Sequence, residues 1–193
     1  MYLFFDTETT GLPKYPKASI ENLENWPRLV QISWLIFDKL EKCIVEKDYI
    51  IKPQNFIIPE RTSRIHGITT EIALSKGMEL KPILNEFAFD IKKSDYIIAH
   101  NMEFDEKIIG AEFLRSKISH DFFKTPKICT MKFSTKHCKI PGRYGGYKWP
   151  NLPELHNFLF NTNFENAHNA LYDVKACAKC FFKLKKLGVI NLK

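Results

Sequence analysis

The feature that most constrains this chain is the stretch from Leu3 to Leu12, Leu-Phe-Phe-Asp-Thr-Glu-Thr-Thr-Gly-Leu. Tyr2 to Phe5 are apolar and mostly aromatic, which suits a buried strand. The run then ends in two carboxylates one residue apart. In an extended chain, positions two apart lie on the same face. Asp6 and Glu8 are therefore expected to point the same way off the end of a core strand, with Gly11 beyond them to let the backbone turn or approach a ligand closely. Two like charges aimed at one spot raise each other's pKa or demand a cation, and carboxylate oxygens are what magnesium or manganese takes. A metal site is the leading reading, set against an Asp-x-Glu pair in a surface turn. Further carboxylates and a base elsewhere in the chain decide between the two.

At 193 residues, 45% hydrophobic and 26% charged, the chain fits one domain over residues 1–193 with a sizeable core. Neither a membrane span nor a signal peptide is visible, because the start lacks a basic region and reaches a carboxylate too soon for a secretory segment. Five cysteines, an odd number, argue against a disulfide framework and for a reducing compartment, with the cytoplasm as default. The formal net charge of +7 favours polyanionic partners. The alternative is a basic protein that is merely soluble.

Leu12 to Pro27 reads as a long loop, Leu29 to Phe37 as a second strand and Lys47 to Ile51 as a third, with Asp38 to Glu46 as the turn. Short connections imply antiparallel pairing of these three. Ile65 to Thr69 is a tight loop between two short helices, the second capped by Thr69 or Thr70. Apolar residues at 80, 83, 84, 87, 88 and 91 mark a helix, Tyr96 to Ala99 a short strand, and Phe104 to Ile118 another helix whose stripe includes Leu114. Strand, helix and strand in that order add a parallel strand to the sheet. Asp105, one turn into the helix that follows, can reach the place where Asp6 and Glu8 point, or serve with Glu103 and Glu106 to complement the helix dipole.

Lys127 to Cys129 is a candidate fifth strand, followed by a helical Met131 to Thr135. His137 to Pro150 mixes Lys139, Arg143 and Lys148 with Tyr144, Tyr147 and Trp149, suited to gripping phosphates and stacking on bases, or to an ordinary surface loop. Leu152 to Phe160 is a short helix. A last helix opens near His168, with a stripe through Leu171, Val174, Cys177 or Ala178, Phe181 and Leu184, and ends near Gly188. On one helix His168 and Asp173 would sit about 140° apart. They converge only if His168 lies in the preceding loop or first turn. For Cys177-x-x-Cys180, inside this helix, core packing is preferred over a structural zinc completed by His137 and Cys138.

Together, Asp6-Thr7-Glu8-Thr9-Thr10-Gly11, His100-Asn101-x-x-Phe104-Asp105 and His168-x-x-x-x-Asp173 closely resemble the three motifs of the DEDDh, or DnaQ-like, 3′-to-5′ exonucleases. Trp26 to Ile32 and His66-Gly67-Ile68-Thr69 resemble the version of that family found in proofreading subunits of bacterial replicative DNA polymerases. The resemblance implies an α/β, ribonuclease H-like fold: a five-stranded mixed sheet with the first strand central, antiparallel to the second and parallel to the fourth, and helices on both faces. It implies two divalent cations, Mg2+ or Mn2+. Asp6 would bridge them, Glu8 and Asp173 would complete the first shell, and Asp105 would hold the second largely through water. His168 would be the general base. Thr9, Thr10, Gly11 and Leu12 would line the terminal nucleotide, with His66, Asn101 and Phe104 as further substrate contacts.

The implied activity is release of nucleoside 5′-monophosphates from nucleic acid 3′ ends, DNA favoured over RNA, in proofreading or repair, with a polymerase as a possible partner. The family often has Asp where this chain has Asn169, and Asp-Thr where it has Cys129-Thr130. The chain stops at Lys193 with no long tail, which counts against a stable polymerase partner. Two further readings are an exoribonuclease of the same superfamily, separated by how the pocket treats the 2′-hydroxyl, and a catalytically silent nucleic-acid-binding module.

Overall fold

The computed structural model of the chain describes residues 1–164 and 167–192. Five strands, β1 (Tyr2–Thr9), β2 (Leu29–Phe37), β3 (Cys43–Ile50), β4 (Tyr96–Ala99) and β5 (Lys127–Cys129), form one sheet in the order β3-β2-β1-β4-β5. β1 is central, antiparallel to β2 and parallel to β4. β3 continues the antiparallel side and β5 the parallel side. The expected mixed sheet is therefore present, strand for strand.

The helices are α1 (Glu60–His66), α2 (Thr70–Lys76), α3 (Leu80–Lys92), α4 (Met102–Ser116), α5 (Thr130–Cys138), α6 (Leu152–Phe160) and α7 (Ala170–Lys186). Alternation along β1 sorts its side chains between two cores. Leu3 and Phe5 pack with Leu84 and Phe87 of α3 and Ile108 and Ile109 of α4. Phe4, on the other face, packs with Leu155 of α6 and Val174 and Phe181 of α7. Helices thus cover both faces, as expected. Thr69 caps α2, its side chain accepting from the Ile72 N–H.

Several boundaries differ from the sequence expectation. β1 runs on through Asp6 and Glu8 to Thr9, because β2 supplies partners along it, Asp6 opposite Ser33 and Glu8 opposite Gln31. The carboxylates therefore stand inside a paired strand rather than beyond its end. β3 begins at Cys43, the turn needing only residues 38–42, where Asp38 Oδ1 accepts from the N–H groups of Leu40 and Lys42. α4 begins at Met102, and its Leu114 is 41% exposed rather than part of the buried stripe. Cys177 and Cys180 are buried and free, packed in the α7 core as preferred.

One detail of register makes the site. β4 pairs with β1 only as far as Phe4. Beyond it the β4 side of β1 lies open at the carboxyl ends of two parallel strands, where α/β sheets gather their ligands.

Candidate active site

Asp6 and Glu8 share a face of β1, the face that α7 covers. α7 brings Asp173 to them, and one carboxylate oxygen from each of the three lies within 4.8 Å of the others. From the opposite edge of the opening α4 supplies Asp105, 3% exposed, whose Oδ1 accepts from the Thr7 hydroxyl at 2.7 Å. Thr7, between the two acids of the strand, thereby ties α4 to β1. The turn into α4 is made by Asn101 in the left-handed region, φ 66°, a conformation that asparagine tolerates.

His168 lies outside α7. Asn169 is the cap, its side chain accepting from the Leu171 N–H at 3.2 Å, and its carbonyl accepts from the Asp173 N–H. His168, at φ 70°, turns back so that its own N–H donates to Asp173 Oδ2 at 2.9 Å. The helical separation of about 140° therefore does not apply, and His168 and Asp173 line the same cavity.

That cavity has a volume of about 330 Å³, and its walls include Asp6, Glu8, Asp105, His168 and Asp173 together with Asn101 and Phe104. A second cleft of about 270 Å³ adjoins it, lined by Thr9, Gly11, Leu12, His66 and Phe104 among others. Thr7, Glu8 and Phe104 face both. Leu12 is 78% exposed at the rim. Thr10 lines neither: its N–H and hydroxyl pair with the Arg28 backbone, closing the loop that leaves β1.

The electrostatics of the acids follow from burial first and from their mutual repulsion. Glu8 is pushed up to about 8, by burial first and then by the charges of Asp173 and Asp105. Asp105 rises to about 7 through burial, against the Thr7 hydroxyl. Asp173 rises to about 6, burial again outweighing the His168 N–H. Asp6 is raised well above the usual carboxylate range by burial and by all three neighbouring acids. Four hard oxygen donors whose ionised forms repel one another fit a divalent cation of the magnesium or manganese kind.

Of the further residues in the walls, His100 is legible in the sequence only as part of a motif and His66 as an implied substrate contact, while Asn151 and Pro153 carry no role there. His100 lines the cavity with Nδ1 on the Thr130 hydroxyl at 2.9 Å and Nε2 on the Pro150 carbonyl at 3.0 Å. Pro150 can only accept, so Nε2 carries the hydrogen. Burial lowers this histidine to about 4. Asn151 and Pro153, also in the wall, start α6 with a capping box in which Asn151 and Glu154 bond each other's backbone. The spacing Asn-x-x-Glu carried that signal. His66 Nδ1 accepts from the Ile68 N–H at 3.1 Å. Its Nε2 is buried without a hydrogen-bond partner of normal geometry among the described residues, and burial lowers its pKa, with the Thr9 carbonyl opposing.

Comparison with known proteins gives this arrangement a context. The profile of a family described as Exonuclease (RNase_T) matches residues 3–181. The DNA polymerase III subunit epsilon of Aquifex aeolicus (strain VF5) is 28% identical over 142 residues, 73% of this chain and 64% of that protein. The subunit of the same name from Treponema pallidum (strain Nichols) is 29% identical over 180 residues, 92% of this chain and 73% of that protein. Among solved structures, E. coli exonuclease I in complex with a dT13 oligonucleotide superposes with a TM-score of 0.75 at 19% identity, over 96% of this chain and 40% of that one. The chain thus spans less than two thirds of the Aquifex protein and well under half of exonuclease I. The shared fold is ribonuclease H-like.

Proposed function

Since the chain belongs to the exonuclease family, whose profile spans residues 3–181, we propose that it is a 3′-to-5′ exonuclease releasing nucleoside 5′-monophosphates from DNA 3′ ends. The observation that carries this is the convergence of Asp6, Glu8 and Asp173 within 4.8 Å, from two elements far apart in sequence. DNA is favoured over RNA because the relatives are named as DNA polymerase III subunits and the fold neighbour holds an oligothymidylate. By the same token, the protein partner proposed is a replicative polymerase, in an association that need not be stable.

Asp6, Glu8 and Asp173 would hold one divalent cation and Asp6 with Asp105 a second, Mg2+ or Mn2+. When bound, such a pair activates water and steadies the leaving 3′ oxygen. The chain's own groups do the rest. Thr7 holds the Asp105 carboxylate through its hydroxyl, so that group is aimed before any ligand arrives. The His168 backbone aims Asp173 in the same way, while its exposed imidazole, at the cavity wall, takes the proton of the attacking water. Histidine does this near neutral pH. The terminal nucleotide would occupy the adjoining cleft, with Thr9, Gly11, Leu12, His66 and Phe104 around its base and sugar and Asn101 in the wall of the first cavity. A 2′-hydroxyl is read at that sugar position, which makes DNA against RNA a property of this cleft.

The test is a gel ladder from single-stranded DNA and RNA oligomers labelled at the 5′ end, with magnesium or manganese, beside the Asp6→Ala protein. Shortening from the 3′ end of DNA, absent in the variant, is the expected result. Preference for RNA moves the assignment to RNA processing, and no ladder on either leaves a silent binding module.

A further inference from the structure

On the α7 side of the sheet the register sets Glu8 opposite Gln31 and Asp6 opposite Ser33, with Ser33 in turn opposite Asp48 of β3. Opposed residues share a face. A band of polar side chains therefore crosses the sheet from the acid cluster to the edge strand. Gln31 is 2% exposed and Ser33 is fully buried, positions where a polar side chain is costly unless it is hydrogen-bonded. Both are bonded. Gln31 Nε2 donates to Asp48 Oδ1 at 2.7 Å, and the Ser33 hydroxyl donates to the same oxygen at 2.6 Å. Asp48 can only accept, so it turns the amide nitrogen of Gln31 toward β3 and the amide oxygen toward α7.

That oxygen, Gln31 Oε1, accepts from the Ala170 N–H at 3.3 Å. Ala170 is the first residue of α7, and its N–H has no partner within the helix. It lies between His168 and Asp173 in the segment that carries both. The neighbouring bonds, Asn169 to Leu171 and His168 to Asp173, are internal to that segment. The Gln31 bond ties the segment to the sheet beside Glu8.

We propose that Gln31, aimed by Asp48, is a positioning residue: it sets how the first turn of α7 sits over β1, and so the separation of Asp173 and His168 from Asp6 and Glu8. This rests on the reading of the acids as a divalent-cation site. A glutamine that merely satisfies its own buried amide predicts lower stability on removal and an unchanged site.

Gln31→Met keeps length and burial and removes both hydrogen bonds. Asp48→Ala, on an exposed residue of the edge strand, leaves Gln31 in place without its guide and decides the matter if the first variant fails to fold. In the metal-free protein, hydrogen exchange over residues 167–173 is expected to quicken in both. Mn2+ affinity, followed by electron paramagnetic resonance, is expected to fall about tenfold in Gln31→Met, as for other residues that orient metal ligands, and by less in Asp48→Ala. Turnover is expected to fall with it while KM for the oligomer stays within about twofold, a split that lost stability alone does not produce. A folded Gln31→Met protein with wild-type exchange in this segment, or wild-type Mn2+ affinity, overturns the proposal. Loss of Mn2+ affinity in a protein that releases no nucleotide upholds it and sinks the exonuclease reading instead. A wild-type protein that binds no Mn2+ overturns both.

Discussion

Replacing Asp105 by Asn is expected to stabilise the metal-free protein while abolishing its activity. Burial lifts the Asp105 carboxyl from its ordinary 3.8 to about 7. At about 1.4 kcal/mol for each tenfold change in proton affinity, keeping that group ionised costs the folded state about 4 kcal/mol at high pH. Asparagine retains an oxygen for the Thr7 hydroxyl and carries no charge, and it relieves Asp6 and Glu8, both raised in part by Asp105. Its amide hydrogens must still be satisfied in a buried place, which takes back part of the gain. A net gain of about 2 kcal/mol raises Tm by about 4 to 8 °C for a chain of this size.

The sign follows from proton linkage. Below the ordinary value of 3.8 the group is protonated in both states and the ionisation cost is absent, so the variant keeps only the cost of its amide hydrogens and is somewhat less stable than wild type. Between that value and about 7 the unfolded chain has released the proton and the folded one has not, so wild-type stability falls as pH rises. The advantage of the variant grows through that window and levels off above it. Thermal unfolding by circular dichroism in chelator, at about pH 4, 6 and 8, reads this directly. Added Mn2+ is expected to stabilise wild type more than the variant, which keeps Asp6, Glu8 and Asp173 for one cation and loses only the Asp105 carboxylate of the second. An Asn variant no more stable than wild type at the highest pH, or one with the same advantage at all three, refutes the reasoning.

Three further outcomes are expected. His168→Ala is expected to lower kcat by about a hundredfold or more with KM within a few fold, and normal turnover at neutral pH in steady-state assays removes it as the base. Thr7→Val takes away the hydroxyl that favours ionised Asp105. Its pKa then rises further, so the Mg2+ midpoint for activity is expected to increase near neutral pH and to converge with wild type in alkaline buffer; parallel curves at every pH refute this. Replacing Arg143, Lys148 and Trp149 together is expected to weaken oligomer binding and to reduce its salt slope by about 1.4, the value for two cations on a single strand. Fluorescence anisotropy across a salt series checks it, and an unchanged slope makes the loop a bystander.

The fold was legible wherever one physical signal acted alone. β2, β4, β5 and α6 fall at their expected residues, because each is a short apolar run or stripe bounded by turn or cap chemistry. The central place of β1 came from the family resemblance, whereas its antiparallel and parallel neighbours followed from the short connections and the strand-helix-strand order. The boundaries that moved were set by tertiary partners. The two carboxylates among Asp6 to Thr9 outweigh the strand preference of the threonines, and pairing with the backbone of β2 makes the stretch a strand. Leu114 fits a helical stripe but faces outward, since α4 buries Met102, Asp105 and Ile108 to Phe113 instead. In the site Asp6 and Glu8 could be read from their spacing, Asp105 only as one of two readings of its place after β4, and Asp173 only through the family resemblance. The residues that aim them could not: Thr7, Gln31 and the backbone of His168 act through partners 98, 139 and 5 positions away.

The two sides of the site are held by different means. On one side, β1 and α7 meet through Phe4, Val174 and Phe181 in a dry core, and the Gln31 bond holds the first turn of α7 to the sheet, so Asp6, Glu8 and Asp173 stand on elements fastened to each other. On the other, the segment from Lys139 to Trp149 carries exposed Tyr144, Tyr147 and Trp149 and is fastened where the Pro150 carbonyl meets His100. His100 is itself fixed by Thr130 at the start of α5, and burial keeps it neutral down to about 4. The fastening therefore does not loosen over the pH range in which a histidine base works. Lys148 is paired with Glu154 and Lys132 sits over the Trp149 ring, so cations and rings are already arranged together in and beside this segment. A rigid wall is what clamping a phosphodiester requires, because displacement by about an ångström costs orders of magnitude in rate. A pinned but exposed loop is what gripping a strand of varying sequence requires, since stacking and phosphate contacts tolerate any base. On the proposed function, this division assigns chemistry to β1 and α7 and strand preference to the segment that ends at Pro150.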